Sequence, residues 1–266
     1  MAKNYKVVHI KILSGFLNLS LMLRVFIFTQ ISAMKHFLIL LVTIFTLASC
    51  DQTTGSGNIV TETRKTGSFD GISVGGGFEV EVKIGDVTSV VVEADDNIMK
   101  YIETTISGNT LKIRTEDLNN YSDVHMKVFI TAPALRRIKA AASADVEVQD
   151  LLKATDQLTF GASSGSSIKA EVDAPQVTSD VSSGASITLK GKTKTYTAQA
   201  SSGAEIRSRD LLSENTTVKT SSGASAQVHA SVTLNANASS GASISYHGAA
   251  TVNQSVSSGG SITKRD

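Results

Sequence analysis

The stretch Val181-Ser182-Ser183-Gly184-Ala185-Ser186-Ile187-Thr188-Leu189 decides the fold, because most of it keeps returning. Ser-Ser-Gly stands at 163–165, 182–184, 201–203, 221–223, 239–241 and 257–259. Its glycines, Gly165, Gly184, Gly203, Gly223, Gly241 and Gly259, are spaced 19, 19, 20, 18 and 18 residues apart. A fixed period with small drift marks a stacked repeat, in which each supersecondary unit is laid on the one before it.

Within each unit the side chains alternate. One residue past the glycine stands Ser166, Ala185, Ala204, Ala224, Ala242 or Gly260, and three past stands Ile168, Ile187, Ile206, Ala226, Ile244 or Ile262. The positions between them are polar, as in Ser186 and Thr188. Period two means a strand with one buried face. The density of Ser, Thr, Val and Gly argues against a helix. A coil of 18–20 residues holds two or three short strands joined by tight corners, with small inward residues suiting a narrow interior. The glycine is expected to supply a corner with φ above zero, where a Cβ would clash. Stacked coils lie about 4.8 Å apart, so like residues form ladders. The expected fold class is therefore all-β, a β-solenoid over 133–266. No rung buries its face alone, so its stability comes from its neighbours.

The start of the chain reads as an address. Met34-Lys35-His36 precedes the apolar run Phe37–Thr46, and Leu47-Ala48-Ser49-Cys50 follows. A charged start and a short apolar core make a secretory signal over 34–49, too short for a spanning helix. Leu-Ala-Ser-Cys looks like a bacterial lipobox, whose cysteine is acylated and becomes the new N-terminus. Cys50 is the only cysteine, so no internal disulfide competes for it. A signal starting at Met34 is complete by itself. Residues 1–33 then read as a mis-called start; if translated, they make a long and unusual signal. Residues 50–58 read as a polar, Gly-rich tether. Residues 1–49 hold five of the 25 basic residues and none of the 24 acidic ones, which leaves the rest formally at −4. That balance does not suggest a nucleic-acid binder.

Residues 59–132 are β-patterned but outside the repeat register. They alternate after Phe69-Asp70-Gly71, run Val-rich over 87–94, allow a helical turn at Asp96–Tyr101 capped by Asp95 or Asp96, and turn at Ser107-Gly108-Asn109. The expectation is a capping region that covers an open solenoid end. Leu135–Val148 then reads as a degenerate rung.

A lipobox, Phe69-Asp70-Gly71-Ile72-Ser73-Val74-Gly75-Gly76-Gly77-Phe78-Glu79-Val80, Pro133-Ala134-Leu135-Arg136-Arg137-Ile138 and the Ser-Gly-Ala-Ser rungs occur together. This combination resembles the putative auto-transporter adhesin, head GIN domain family, common among Bacteroidota lipoproteins, over residues 69–262. Gly77-Phe78-Glu79 stands where the family's Gly-Ile-Asn signature belongs. The resemblance implies a right-handed parallel β-helix behind an N-terminal β region. It brings no tested activity and no catalytic residues, and the word adhesin rests on analogy.

Two outward columns are candidate contact lines. Six residues past each glycine stand Glu171, Lys190, Arg209, His229, His247 and Arg265, a stripe able to meet an anion or an acidic glycan. Six before stand Thr159, Thr178, Thr197, Thr217, Asn235 and Asn253, able to meet sugar hydroxyls, or simply good strand chemistry. Two histidines without further ligands make no zinc site. Asp150, Asp156, Asp173 and Asp180 sit at scattered offsets, so no acid and base pair can be assigned. No catalytic residue, metal or cofactor is expected. The sequence thus points to a lipid-anchored, non-catalytic binding or adhesion module of the cell envelope, most naturally at the outer membrane. Its expected partners are the membrane, through the lipid, and glycans or envelope proteins. The alternatives are a polysaccharide-acting β-helix enzyme and an envelope structural or sensing protein with protein partners.

Overall fold

Ser-Ser-Gly folds as a two-residue left-handed turn. In the computed structural model, which describes residues 52–116 and 120–265, Ser183 and Gly184 have φ of 53° and 70°. The Ala185 N–H closes the turn on the Ser182 carbonyl at 3.2 Å, as in a type I′ turn. The Gly184 N–H is then free to donate upward, to the Ser202 carbonyl of the next rung, at 3.1 Å. Gly165, Gly203, Gly223 and Gly241 repeat that bond to Ser183, Ser222, Ser240 and Ser258. The middle serines, with φ of 47–53°, hold the same left-handed conformation as the glycines. The degenerate rung keeps the turn with Ala142 and Ser143, at φ 51° and 64°.

The strands before the repeats are β1 (Gln52–Thr54), β2 (Ile59–Arg64), β3 (Gly71–Gly75), β4 (Glu79–Ile84), β5 (Ser89–Asp95), β6 (Ile102–Ser107), β7 (Thr110–Thr115), β8 (Asn120–Ser122) and β9 (Met126–Ala132). One short helix, α1 (Asp96–Met99), lies between β5 and β6. The repeats supply β10 (Arg137–Ala141), β11 (Asp145–Lys153), β12 (Gln157–Ala162), β13 (Ser167–Val181), β14 (Ser186–Ala200), β15 (Glu205–Ser208) and β16 (Leu211–Thr220). Then follow β17 (Ser225–His229), β18 (Thr233–Ala238), β19 (Ser243–His247), β20 (Thr251–Val256) and β21 (Ser261–Lys264). From β10 onward every pairing is parallel and joins a strand to its counterpart one rung away. The fold is an all-β solenoid of about six turns.

The stack begins earlier than 133. β3 and β4 pair in parallel with β10 and β11, and on their other side with β7 and β9. Rung 71–84 is thus sandwiched between rung 110–132 and rung 137–153, out of chain order. Capping proper is left to the antiparallel strands β2, β5 and β6. Asp95 precedes α1 without capping it through its side chain.

The segment read as a tether is folded into this cap from Gln52 on; Cys50, Asp51 and the signal lie outside the described residues. β1 pairs in parallel with β8. The Gly57 N–H donates to Asp95 Oδ1 at 2.7 Å, Ser56 Oγ to Asp96 Oδ1 at 2.6 Å, and Asn58 Nδ2 to Asp96 Oδ2 at 2.8 Å. Asn97 accepts the Ser56 N–H at 3.1 Å and donates to the Thr54 carbonyl at 2.8 Å. Asp95 is 2% exposed, and its second oxygen accepts the His125 N–H at 2.7 Å.

Inside the solenoid the inward columns are buried, from Ala185, Ala204 and Ala224 to Ile168, Ile187 and Ile206. Tyr196 fits this narrow space because its neighbours are small. Its hydroxyl donates to Ser179 Oγ at 3.1 Å and lies 2.9 Å from Ser208 Oγ. Burial pushes the Tyr196 pKa up, against the pull of those two hydroxyls. At the far end, Gln254 and Lys264 take the inward columns that Ala236 and Tyr246 hold one rung below. Val256 is 50% exposed there, and no strand covers the outer edges of β20 and β21 among the described residues.

Three predictions follow from the left-handed positions and one from the docked segment. Replacing Gly203 by Val should cost over ~1 kcal/mol through φ alone, since a Cβ there meets open space. Ser202→Gly, which removes a left-handed non-glycine, should leave the melting temperature unchanged or raised. Gly191→Ala should melt lower than Gly203→Ala, because at φ 111° its Cβ would also run into the Val172 carbonyl. The hydrogen bonds from Ser56 and Asn58 hold the Asp96 carboxyl below its ordinary 3.8. A depressed carboxylate stabilises the fold above its unfolded pKa and loses that contribution as the pH falls through the folded one. Protection of the Ser56–Asn58 amides against hydrogen exchange, corrected for intrinsic rates, should therefore drop below about pH 4 while the solenoid amides hold.

Candidate functional site

Register places the Thr/Asn column on one flat outer face. Arg137, Thr159, Thr178, Thr197, Thr217, Asn235 and Asn253 are direct neighbours from strand to strand. The pairs touch where their side chains permit, as where Asn253 Nδ2 lies 3.4 Å from Asn235 Oδ1. Two residues along each strand runs a second column that the sequence reading passed over: Lys139, Gly161, Asp180, Gln199, Lys219, Asn237 and Ser255. It mixes charges, amides and a glycine, so residue type gave no signal. Its constant offset of four before each turn glycine was the available clue.

Between and beside these columns lie three shallow grooves. One of about 430 Å³ has Lys139, Thr159, Gly161, Thr178 and Asp180 in its wall. One of about 350 Å³ holds Asp180, Gln199, Lys219, Asn237 and the serines of three corners. A third, of about 200 Å³, lies among Thr217, Lys219, Asn235, Asn237 and Asn253. The face therefore offers hydroxyls, amides and two ammonium groups over several rungs.

The cationic stripe is more broken than its spacing implies. Lys190 pairs with Glu171 at 2.9 Å, so the first step of the column is neutral. Arg209 leaves the strand in a two-residue turn beside Asp210. His229 and His247 do stack as register neighbours, with His229 Nδ1 3.3 Å from the Ser213 carbonyl. Burial, then the nearby Arg209 and His229, lower the His247 pKa and favour its neutral form. Arg265 is exposed beyond them, its N–H on the Tyr246 carbonyl at 2.8 Å.

A fourth groove marks where the rungs shorten. Five residues separate Arg209 from Asn215, but three separate His229 from Thr233, its counterpart one rung on. A cleft of about 530 Å³ opens there beside Asp173, Lys192, Lys194, Glu214, His229 and Ser231. Lys192 pairs with Asp173 at 3.3 Å. Ser213 and Thr216 place their hydroxyls on the His229 carbonyl at 2.5 and 2.6 Å.

The carboxylates that an enzyme reading would need have separate roles. Asp150 accepts the Ile84 N–H at 2.9 Å, Asp156 pairs with Arg136, Asp173 with Lys192, and Asp180 stands in the outer column. Among the described residues no three His, Cys, Asp or Glu side chains gather as metal ligands. The turn glycines Gly165, Gly184, Gly203, Gly223, Gly241 and Gly259 have φ of 70–74° and line one edge. Cys50 lies outside the described residues.

No curated protein matches the sequence. Solved structures do share the fold. A protein described as a putative adhesin from Bacteroides fragilis aligns with a TM-score of 0.72 at 20% identity, over 80% of this chain and 100% of that one. A putative lipid binding protein from Parabacteroides distasonis aligns at 0.66 and 18%, over 81% and 100%. A putative adhesin from Parabacteroides merdae aligns at 0.61 and 18%, over 82% and 100%. These likenesses carry the architecture. The family profile described as "Putative auto-transporter adhesin, head GIN domain" covers residues 68–250, and the chain belongs to that family.

Proposed function

We propose that this chain is a non-catalytic binding module of the cell envelope, anchored by lipid at Cys50, whose flat ladder face contacts extended glycans. The observation that carries the reading is the pair of outward columns in unbroken register, Thr159 to Asn253 and Lys139 to Ser255. Such a face repeats the same donors and acceptors at about 4.8 Å per rung, a spacing close to the length of one pyranose ring. Each contact is weak, and many in series give avidity. The family and the fold relatives described as adhesins support a binding role. The lipobox at Leu47–Cys50 supports the anchor and an outer-membrane site. No helix among the described residues is long and apolar enough to cross a membrane.

Lipid binding, named for one relative, is less favoured as a role for the solenoid itself. Its interior is filled by Phe160, Tyr196, Leu158 and their neighbours, and its grooves are shallow and open to solvent. A polysaccharide-acting enzyme would need paired carboxylates, and Asp150, Asp156 and Asp173 are each held by a separate partner.

The test is a glycan array probed with residues 51–266, followed by two double variants. Thr197→Glu with Asn235→Glu should weaken binding to any selected glycan at least tenfold, about 1.4 kcal/mol. Lys190→Glu with Arg209→Glu, on the other outer column, should leave it unchanged. The reverse pattern would move the contact to the cationic stripe, and a blank array would turn the search toward protein partners.

A further inference from the structure

We infer that the cap end of the domain is seated directly on lipid headgroups, with β1, β8 and the Lys100-Tyr101 corner against the bilayer. This rests on the reading that Cys50 carries the lipid. The argument starts from length. Between Cys50 and Gln52, the first residue of β1, stands Asp51 alone. Two residues of extended chain reach at most about 7 Å. A lipoprotein with a loose tether could sample many orientations, but here the residues that look like a tether are tied down. Asp95, Asp96 and Asn97 hold Thr54, Ser56, Gly57 and Asn58 by the bonds described above. Gly55 is wedged so closely that a Cβ would meet the Asp123 carbonyl and the Asp95 carboxylate.

The surface at that point has the chemistry of a headgroup layer. Tyr121, the register partner of Thr53 in the β1–β8 pair, packs inward with its hydroxyl buried and backs this surface rather than facing the lipid. Its ring lies 6.5 Å from that of Tyr101, and the Lys100 ammonium lies 4.9 Å over the Tyr101 ring. Tyrosine and lysine are the side chains that settle at the membrane–water boundary, the ring among the headgroups and the ammonium toward water or phosphate. Acidic Asp96 and Asp123 lie nearby, so the contact is held by the anchor and the Tyr101 ring rather than by net positive charge, and zwitterionic lipid suffices. The geometry also fixes what points away. Nine strands stack from β7 to β20, so the last rung lies roughly 38 Å beyond the first at about 4.8 Å per step.

The experiment uses the full chain, purified from membranes and reconstituted in phosphatidylcholine vesicles that carry a trace of nickel-chelating lipid. Mass spectrometry of the Cys50 peptide first reports acylation; an unacylated peptide overturns the anchoring reading and this inference with it. Nitroxide is then attached at Lys100→Cys in one sample and at Thr263→Cys in another. Headgroup nickel should broaden the label at 100 several-fold more than the label at 263. Equal broadening at both positions, strong or absent, on a protein shown to be acylated overturns the seating alone. Inserting ten Gly/Ser residues between Asp51 and Gln52 lengthens the free span to about 19 Å without touching the fold. That insertion should lower the signal at 100, and an unchanged signal would overturn the claim that the short span sets the seating. Adding phosphatidylglycerol should change neither label; a strong gain at 100 would overturn the claim that charge is not what holds the contact.

Discussion

Everything in this solenoid depends on the chain turning the same corner at the same height in each rung. The corner has two left-handed residues in a row, and that conformation costs an L-residue on the order of 1 kcal/mol or more. The middle serines accept it at Ser164, Ser183, Ser202, Ser222, Ser240 and Ser258. In return the glycine N–H points along the stack and bonds the carbonyl of the next corner. A register slip by one residue would break that bond and turn every inward Ile outward. The turn therefore fixes which residues are core and which are surface, and it aligns the outer columns.

Because the corner is tight, the interior is narrow, and its residues are chosen for size. Ala, Val, Leu and Ile dominate the buried columns, with a few Ser and Thr among them. One large polar ring, Tyr196, is admitted where two serines stand in adjoining columns and satisfy its hydroxyl. An unpaired buried hydroxyl would cost about 1–3 kcal/mol, so the three residues form one unit. The polar side chains are driven to the outside, and the same selection that packs the core leaves a flat polar exterior.

Much of this was readable from the sequence. Period two, small inward residues and glycine spacing give the strands, the parallel stack and the outward parity of the Thr/Asn column. Three features were not readable, for separate physical reasons. Residues 52–58 have the composition of a linker, and their partners Asp95–Asn97 are about forty residues away in the chain. The early rungs are stacked out of chain order, so no fixed period reveals them. The break in the cationic stripe comes from one extra residue in that rung: Thr188 pairs with Arg207 but Gly191 with Leu211, so Arg209 leaves the strand while its count from the glycine stays intact.

The last rung bears on how such a molecule avoids growing. A parallel stack ends in a template, a row of unpaired amides and carbonyls that would accept another chain as readily as another rung. Here the template is spoiled from within. Gln254 and Lys264 occupy columns that are apolar one rung below, so a second molecule stacking on that end would have to bury an amide and an ammonium group. The end works like a poisoned face on a growing crystal: the lattice is continued in backbone and corner, but the chemistry of the surface layer refuses the next one. Two side chains in inward positions thus set a cost on continuing this edge.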